Sequence, residues 1–200
     1  MQIIAMKNIG HQYGVKIMVE WVKGESVEML LTEEQIKTRV TEIAKEITAD
    51  FHGQPVTLLG TLKGSIFFLS DVARGLGANI EIDFIKASSY GNKSKSDGNV
   101  KIDHFPDTVL EGKNVIIMED IIDSGHTAKN LTAYLGKLNP KSLKLCSLLD
   151  KPERREVEGV TCDYLGFTVP DKFLVGYGLD YAQRYRNLPY IGVLHFEDKE

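Results

Sequence analysis

Two cysteines, a single tryptophan, six prolines and no surplus of positive charge leave this 200-residue chain outside several familiar protein classes. Cys146 and Cys162 belong to no Cys-x-x-Cys pair and to no Cys/His cluster with zinc-ligand spacing. That excludes a disulfide-stapled or zinc-built scaffold and suits a reduced, cytoplasmic protein. No stretch approaches the ~20 consecutive apolar residues of a membrane span. The segment Met1–Gly24 interrupts its apolar positions with Lys7, His11, Lys16, Glu20 and Lys23, unlike the continuous apolar run of a signal peptide. The expectation is a soluble chain with no membrane partner. Twenty-four Lys and Arg against 28 Asp and Glu give a formal charge of −4, so no molecule-wide field favours a phosphate backbone. Nucleic acid is therefore not an expected partner. Internal repeats, low-complexity tracts, a Gly-x-Gly-x-x-Gly turn and a Gly-x-x-x-x-Gly-Lys-Ser/Thr loop are also missing, which removes the commonest nucleotide-binding signatures.

With 42% hydrophobic and 26% charged residues the composition is globular, and the length suits one domain of roughly 100–200 residues with a sizeable core. Thr32-Glu33-Glu34-Gln35 reads as a capping box, followed by Ile36, Val40, Ile43 and Ile47 at helical spacing to about Asp50. Val56–Gly60, Ile80–Ala87, Val100–His104, Asn114–Met118 and Leu143–Leu149 read as strands, with helices predicted over Ile66–Leu76 and Thr127–Leu138. Asn114–Met118 is nearly all apolar, as expected of a strand buried on both faces. Strands alternating with helices predict an α/β fold with a doubly wound, mainly parallel sheet flanked by helices, whose ligands bind at the carboxyl ends of the strands. The segment Met1–Gly24 reads either as an appendage or as a strand covering an edge, and the last fifty residues as a smaller cap.

At the carboxyl end of the apolar strand stands Val115-Ile116-Ile117-Met118-Glu119-Asp120-Ile121-Ile122-Asp123-Ser124-Gly125-His126-Thr127. Three carboxylates within five residues require a cation or strong solvation. Directly after them come a Gly that permits a tight turn, two hydroxyls and the amides of a helix N-terminus, the parts of an anion cradle. Acidic pair plus cradle suggests a ligand carrying both hydroxyls and phosphate, a ribose phosphate. The bland alternative, a strand-to-helix turn with solvated acids, fits any one of these residues but not the whole string.

That string resembles the phosphoribosyl-diphosphate (PRPP) signature of the type I phosphoribosyltransferases. Leu62-Lys63-Gly64-Ser65, Ser89-Tyr90, Leu148-Leu149-Asp150-Lys151 and Val169 to Tyr181 resemble further sites of the hypoxanthine-guanine phosphoribosyltransferase family, so the likeness runs from Val27 to about Leu194. The resemblance implies a type I phosphoribosyltransferase fold: an N-terminal extension (1–26) of unassigned role, a core (27–160) with a mobile lid (88–100), and a small C-terminal hood (161–200) that helps bind purine. It also implies transfer of the phosphoribosyl group of PRPP to N9 of hypoxanthine or guanine, giving IMP or GMP and pyrophosphate with Mg²⁺ as cofactor.

Residue by residue, the resemblance implies that Glu119 and Asp120 bind the ribose hydroxyls, directly or through Mg²⁺, and that Asp123 is the catalytic acid/base at purine N7. Ser124, Gly125, His126 and Thr127 would hold the 5′-phosphate. Lys63 and Gly64, with a cis peptide before the lysine, would contact pyrophosphate together with Arg186. Ile121, Lys151, Phe173 and Leu174 would face the purine, with Lys151 on its 6-oxo group, and Asp180 would ligate a second Mg²⁺. The polar, Gly-containing run Ser88–Asn99 would be the lid, closing through Ser89 and Tyr90, because an activated ribose must be kept from water. His126 would bring a group that titrates near neutrality beside phosphate. Arg154 and Arg155, in the charge run after Lys151, read as a solvated surface turn. A homodimer or homotetramer is expected from the resemblance. Two other functions carry the same signature: a xanthine-preferring enzyme, and a PRPP-sensing regulator that binds nucleic acid, for which a basic face would be expected.

Overall fold

The computed structural model describes residues 5–11, 14–77, 79–89, 100–104 and 107–196. In chain order the first elements are β1 (Ala5–His11), β2 (Gly14–Val22), β3 (Glu25–Leu31), α1 (Glu33–Phe51), β4 (Val56–Thr61), α2 (Ile66–Gly75) and β5 (Ile80–Ser89). They are followed by β6 (Val100–His104), β7 (Asn114–Ile122), α3 (His126–Gly136), β8 (Ser142–Asp150), β9 (Tyr164–Thr168), β10 (Leu174–Val175) and β11 (Ile191–Phe196). These elements form two compact units, Thr38–Asp171 and Met1–Lys37 with Lys172–Glu200.

The larger unit is built on a sheet of order β6-β5-β4-β7-β8-β9, with β6 antiparallel at one edge and the other five strands parallel. All six residues of β4 and the first six of β7 are buried, as apolar runs covered on both faces must be. Leu59, Ile85, Val115, Ile117 and Leu145 pack against Ala128, Leu131 and Leu135 of α3. On the opposite side a Cβ at Gly60 would meet Leu69 of α2, and one at Gly75 would meet Ala44 of α1. Since side chains alternate along a strand, α3 lies on one face of the sheet and α2 with α1 on the other. The expected doubly wound layout is present. The capping box is formed, with the Gln35 amide donating to Thr32 Oγ1 at 3.2 Å and the Thr32 amide to Gln35 Oε1 at 2.9 Å.

The edge strand β9 is covered rather than left open. Arg39 of α1 donates to the Leu165 carbonyl through Nε and Nη2, at 3.1 and 2.7 Å, and occupies part of the unpaired edge. Cys146 is fully buried and Cys162 half-buried; burial holds the Cys146 thiol well above its ordinary pKa and pushes Cys162 up to about 11. Both are packing residues rather than reactive thiols.

The smaller unit is an antiparallel sheet of order β1-β2-β3-β11-β10. Its core gathers Val27, Val175, Tyr185, Leu188, Tyr190 and Leu194. Two expected boundaries therefore move. Residues 27–31 join this sheet because β3 pairs with β11, and residues 161–171 belong to the larger unit because β9 pairs in parallel with β8. The N-terminal extension is a pair of strands, β1 and β2, added to the edge of β3.

Ile117 is wholly buried at the centre of the larger sheet, whereas Val109 is 73% exposed. Ile117→Ala should lower stability by about 2–5 kcal/mol in urea unfolding, and Val109→Ala by less than about 0.5 kcal/mol.

Candidate active site

β7 continues past Met118 to Ile122, so Glu119 and Asp120 are strand residues on alternate faces rather than loop acids. Glu119 is buried, 5% exposed, beside Thr61 at the end of the neighbouring strand β4. Thr61 has one hydroxyl proton and two oxygen neighbours, the Met118 carbonyl at 3.0 Å and Glu119 Oε2 at 2.6 Å. Both contacts are satisfied together when Glu119 is protonated, donating to Thr61 while Thr61 donates to Met118. The energetics agree, because burial and the neighbouring Asp120 push the Glu119 carboxyl up to about 8. Among the described residues its Oε1 has no hydrogen-bond partner.

Gly64 stands against the other acid. A Cβ there would lie 1.6 Å from Asp120 Oδ2, so the turn after β4 approaches the carboxylate only because the side chain is absent. The peptide Leu62–Lys63 is cis. Among the described residues no three acids, histidines or cysteines form a closed metal cage. Glu119 and Asp120 nevertheless fit Mg²⁺, which takes one or two carboxylates and fills its shell with water and substrate oxygens; the orphaned Oε1 is an unused donor for such an ion.

After β7 the chain turns through Asp123, Ser124 and Gly125 into α3. Gly125, at φ 89°, is in the left-handed region and precedes the first helical residue, and no side chain caps that first turn. The opening amides of α3 are thus available to an anion. Asp123 Oδ1 lies 3.1 Å from Arg154 Nε, at ion-pair distance but outside hydrogen-bond geometry. Lys151 is buried at the end of β8, its Nζ 3.9 Å from Asp171 Oδ1. Ile121 sits in β7 opposite Leu149. Lys63, Gly64, Glu119 to Thr127 and Lys151 therefore all belong to the carboxyl ends of β4, β7 and β8 or to the turns that follow them. A well-formed cavity of about 360 Å³ lies elsewhere, by the first residues of β4 and β5, lined by Ile47, Phe51, Val56, Leu76 and Ile80. It holds none of these groups.

The smaller unit carries the other expected residues. Phe173 is exposed at 51%, unusual for a large aromatic, and meets Tyr181 edge-on with ring centres 5.7 Å apart. Leu174 is buried in β10, opposite Val193. Asp180 and Arg186 face each other, Oδ1 to Nη2 at 2.6 Å, while Arg186 Nη1 donates to the Gly178 carbonyl at 2.7 Å. Ser89 is the last residue of β5; Tyr90 and residues 90–99 of the expected lid lie outside the described residues.

The profile of the phosphoribosyl transferase domain matches residues 26–182. The chain is 47% identical to hypoxanthine phosphoribosyltransferase of Salmonella typhimurium over 169 residues, 84% of this chain and 94% of that one. The chain belongs to the hypoxanthine-guanine phosphoribosyltransferase family. The likeness extends to hypoxanthine-guanine phosphoribosyltransferase of Bacillus subtilis, 44% identical over 86% of this chain and 96% of the relative. It extends equally to a crystal structure of a hypoxanthine-guanine phosphoribosyltransferase from Bacillus anthracis, with 46% identity, a TM-score of 0.78 and coverage of 84% of this chain and 96% of that one.

Two residues of this phosphoribosyltransferase site escape a reading of the sequence. Thr61 looks like an ordinary β-branched strand residue; its one signal is a hydroxyl at the strand end beside a carboxylate. Arg155, expected to be solvated, is 21% exposed and its Nη1 donates to the Asp123 carbonyl at 3.1 Å, whereas Arg154 is 47% exposed, as expected, with its Nε near the Asp123 carboxylate. His126, expected beside phosphate, has its Nε2 3.1 Å from Glu156 Oε2.

The raised Glu119 carboxyl has a consequence for folding. The unfolded chain releases this proton near 4.5 and the folded chain near 8, so across that interval unfolding releases a proton and is increasingly favoured as pH rises. Without ligand or metal, stability should decline from pH 4.5 to 8 and level off above, and Glu119→Gln should remove that component of the slope in denaturant titrations. An unchanged slope in the variant would place the proton elsewhere.

Proposed function

We propose that the chain transfers the 5-phosphoribosyl group of PRPP to N9 of hypoxanthine or guanine, yielding IMP or GMP and pyrophosphate. The observation that carries this reading is the acidic strand end of β7 running directly into an uncapped helix N-terminus through left-handed Gly125. One connection thereby offers carboxylates to ribose hydroxyls and amides to a phosphate.

In the reaction the bond from ribose C1 to the pyrophosphate oxygen breaks, the bond from C1 to purine N9 forms, and the electron pair of the first leaves with pyrophosphate. Positive charge develops on the sugar between the two events. Asp120 and Glu119 hold the hydroxyls of that sugar and oppose its charge. Glu119, protonated in the absence of ligand, does not repel Asp120 until a cationic centre is present. Bound Mg²⁺, held by Glu119 and Asp120 and at a second position by Asp180, would supply neutralisation of the leaving pyrophosphate. Asp123 takes the purine proton as C1–N9 forms. Lys151 donates to the 6-oxo group, which favours hypoxanthine and guanine over adenine, whose 6-amino group would set donor against donor. Ser124 and Thr127 hydroxyls, with the amides around Gly125 and His126, cradle the 5′-phosphate.

In the smaller unit, Phe173 offers its exposed ring to the base and the Leu174 backbone its polar groups to the base edge. Arg186 grips pyrophosphate, for which it must exchange Asp180 for a phosphate oxygen. Lys63 and Gly64 bind pyrophosphate beside β4, and Ser89 and Tyr90 close the lid. Among the described residues no helix is long and apolar enough to cross a membrane. A cytoplasmic homodimer or homotetramer acting on small molecules, without nucleic acid, completes the reading.

Nucleotide formation from hypoxanthine, PRPP and Mg²⁺ tests it directly, in a panel with guanine, xanthine and adenine at fixed PRPP. Hypoxanthine and guanine should react and adenine should not; turnover with xanthine alone would overturn the substrate assignment. Asp123→Asn should lower kcat by about a hundredfold or more, as loss of an acid/base group does.

A further inference from the structure

The charge run that follows β8 is no ordinary turn. Each successive residue of the loop between β7 and α3 takes a partner from it. The Ile122 carbonyl accepts from the Lys151 amide at 3.0 Å, the Asp123 carbonyl from Arg155 Nη1 at 3.1 Å, and the Ser124 carbonyl from the Glu156 amide at 3.0 Å. At the next position a Cβ on Gly125 would come within 2.9 Å of both Arg155 Cδ and Val157 Cγ2. His126 then meets Glu156.

The two arginines divide the work. Arg155 is anchored by an ion pair with Asp150, the last residue of β8, and its side chain is 21% exposed. Its planar fork joins that carboxylate to the Asp123 carbonyl, fixing the peptide plane from which the Ser124 amide projects. Arg154 is directed instead to the Asp123 carboxylate, and its Nη1 lies 3.6 Å from Asp171 Oδ1, the same oxygen that Lys151 approaches. Backbone carbonyls of a solvated loop would be left to water; here three in a row are claimed by one short segment.

We propose that Arg155 is a positioning residue for the 5′-phosphate cradle and Arg154 a positioning residue for the Asp123 carboxylate, so that the segment carrying Lys151 also shapes the phosphate loop. This rests on the assignment of Ser124 to Thr127 to phosphate and of Asp123 to purine. A structural role alone would weaken every ligand together; positioning of the cradle would affect only ligands that bear the phosphate.

Inhibition by IMP and by inosine, the same nucleoside without its phosphate, separates the two. Wild type should prefer IMP strongly. Arg155→Gln should weaken IMP by about tenfold, as expected for the loss of one charge-assisted hydrogen bond, and change inosine less than about twofold. Arg155→Lys, which keeps the charge but not the fork, should fall between and serves if the glutamine variant does not fold. Arg154→Ala should lower kcat by about tenfold or more while changing inhibition by IMP and by inosine less than about twofold, and Arg154→Lys, which returns a cation to the Asp123 carboxylate, should restore part of kcat. Equal losses for both ligands in the Arg155 variants, or none, would overturn the role of Arg155. A loss of IMP and inosine binding by the same factor in Arg154→Ala, or an unchanged kcat, would overturn the role of Arg154. If wild type itself failed to distinguish IMP from inosine, the phosphate assignment under the proposed function would be the part in error.

Discussion

A carboxylate held out of water at the end of a strand buried on both faces is the constraint around which this site is organised. β7 lies at the centre of the larger sheet, and its apolar residues from Val115 to Met118 are wholly buried. Continuing the strand by one residue carries Glu119 into the same environment. A charge there would cost several kcal/mol. The carboxyl is kept neutral instead, against the Thr61 hydroxyl, and among the described residues its Oε1 has no hydrogen-bond partner. Two further features follow from the same position. Asp120, on the alternate face, needs room, and Gly64 leaves it. The chain beyond leaves the sheet through the left-handed turn at Gly125, directly into the first turn of α3.

Electrostatics of this kind are local. A formal charge of −4 over 200 residues supplies no molecule-wide attraction for polyanions, yet a phosphate-rich ligand needs only a few donors in fixed directions. The proposed function assigns this part to the α3 amides and Lys63 in the larger unit, and to Arg186 in the smaller unit. In that proposal the acids face the sugar and its developing cation. Two pairs of these groups face each other within one unit: Asp180 and Arg186 at 2.6 Å, and, farther apart, Lys151 and Asp171 at 3.9 Å.

Much of the larger sheet was legible in the sequence because its signals are local and periodic. Apolar runs four or five residues long, helices with apolar spacing and a capping box each specify an element before any tertiary contact forms. The chemistry of β7 was legible for a related reason, since the whole acidic string and cradle is contiguous. What was not legible depends on contacts distant in sequence. β3 finds its partner about 165 residues away in β11, and neither strand is apolar enough along its length to declare itself. β9 and β10 are five and two residues long, too short for a period to be read. Thr61 becomes a site residue only when β4 and β7 lie side by side, which the register Gly60 opposite Met118 brings about.

Arg155 illustrates the same limit with charges. In sequence, Lys-Pro-Glu-Arg-Arg-Glu is a polar stretch after a strand, and polar stretches are usually solvated. That inference counts side chains and omits the backbone. A loop that turns its amides toward a ligand turns its carbonyls the opposite way, and those carbonyls need donors as much as the ligand does. An amide can satisfy one such carbonyl only where two chains run close together, as Lys151 and Glu156 do. Where the spacing is wider a long side chain must span it, and a guanidinium can reach a carbonyl and an anchoring carboxylate at once. Arg155 fills that gap between Asp150 and the Asp123 carbonyl. An arginine in a charge run beside a predicted phosphate loop is therefore as well explained by the rear of that loop as by solvent, and the two readings part once the direction of the loop's amides is known.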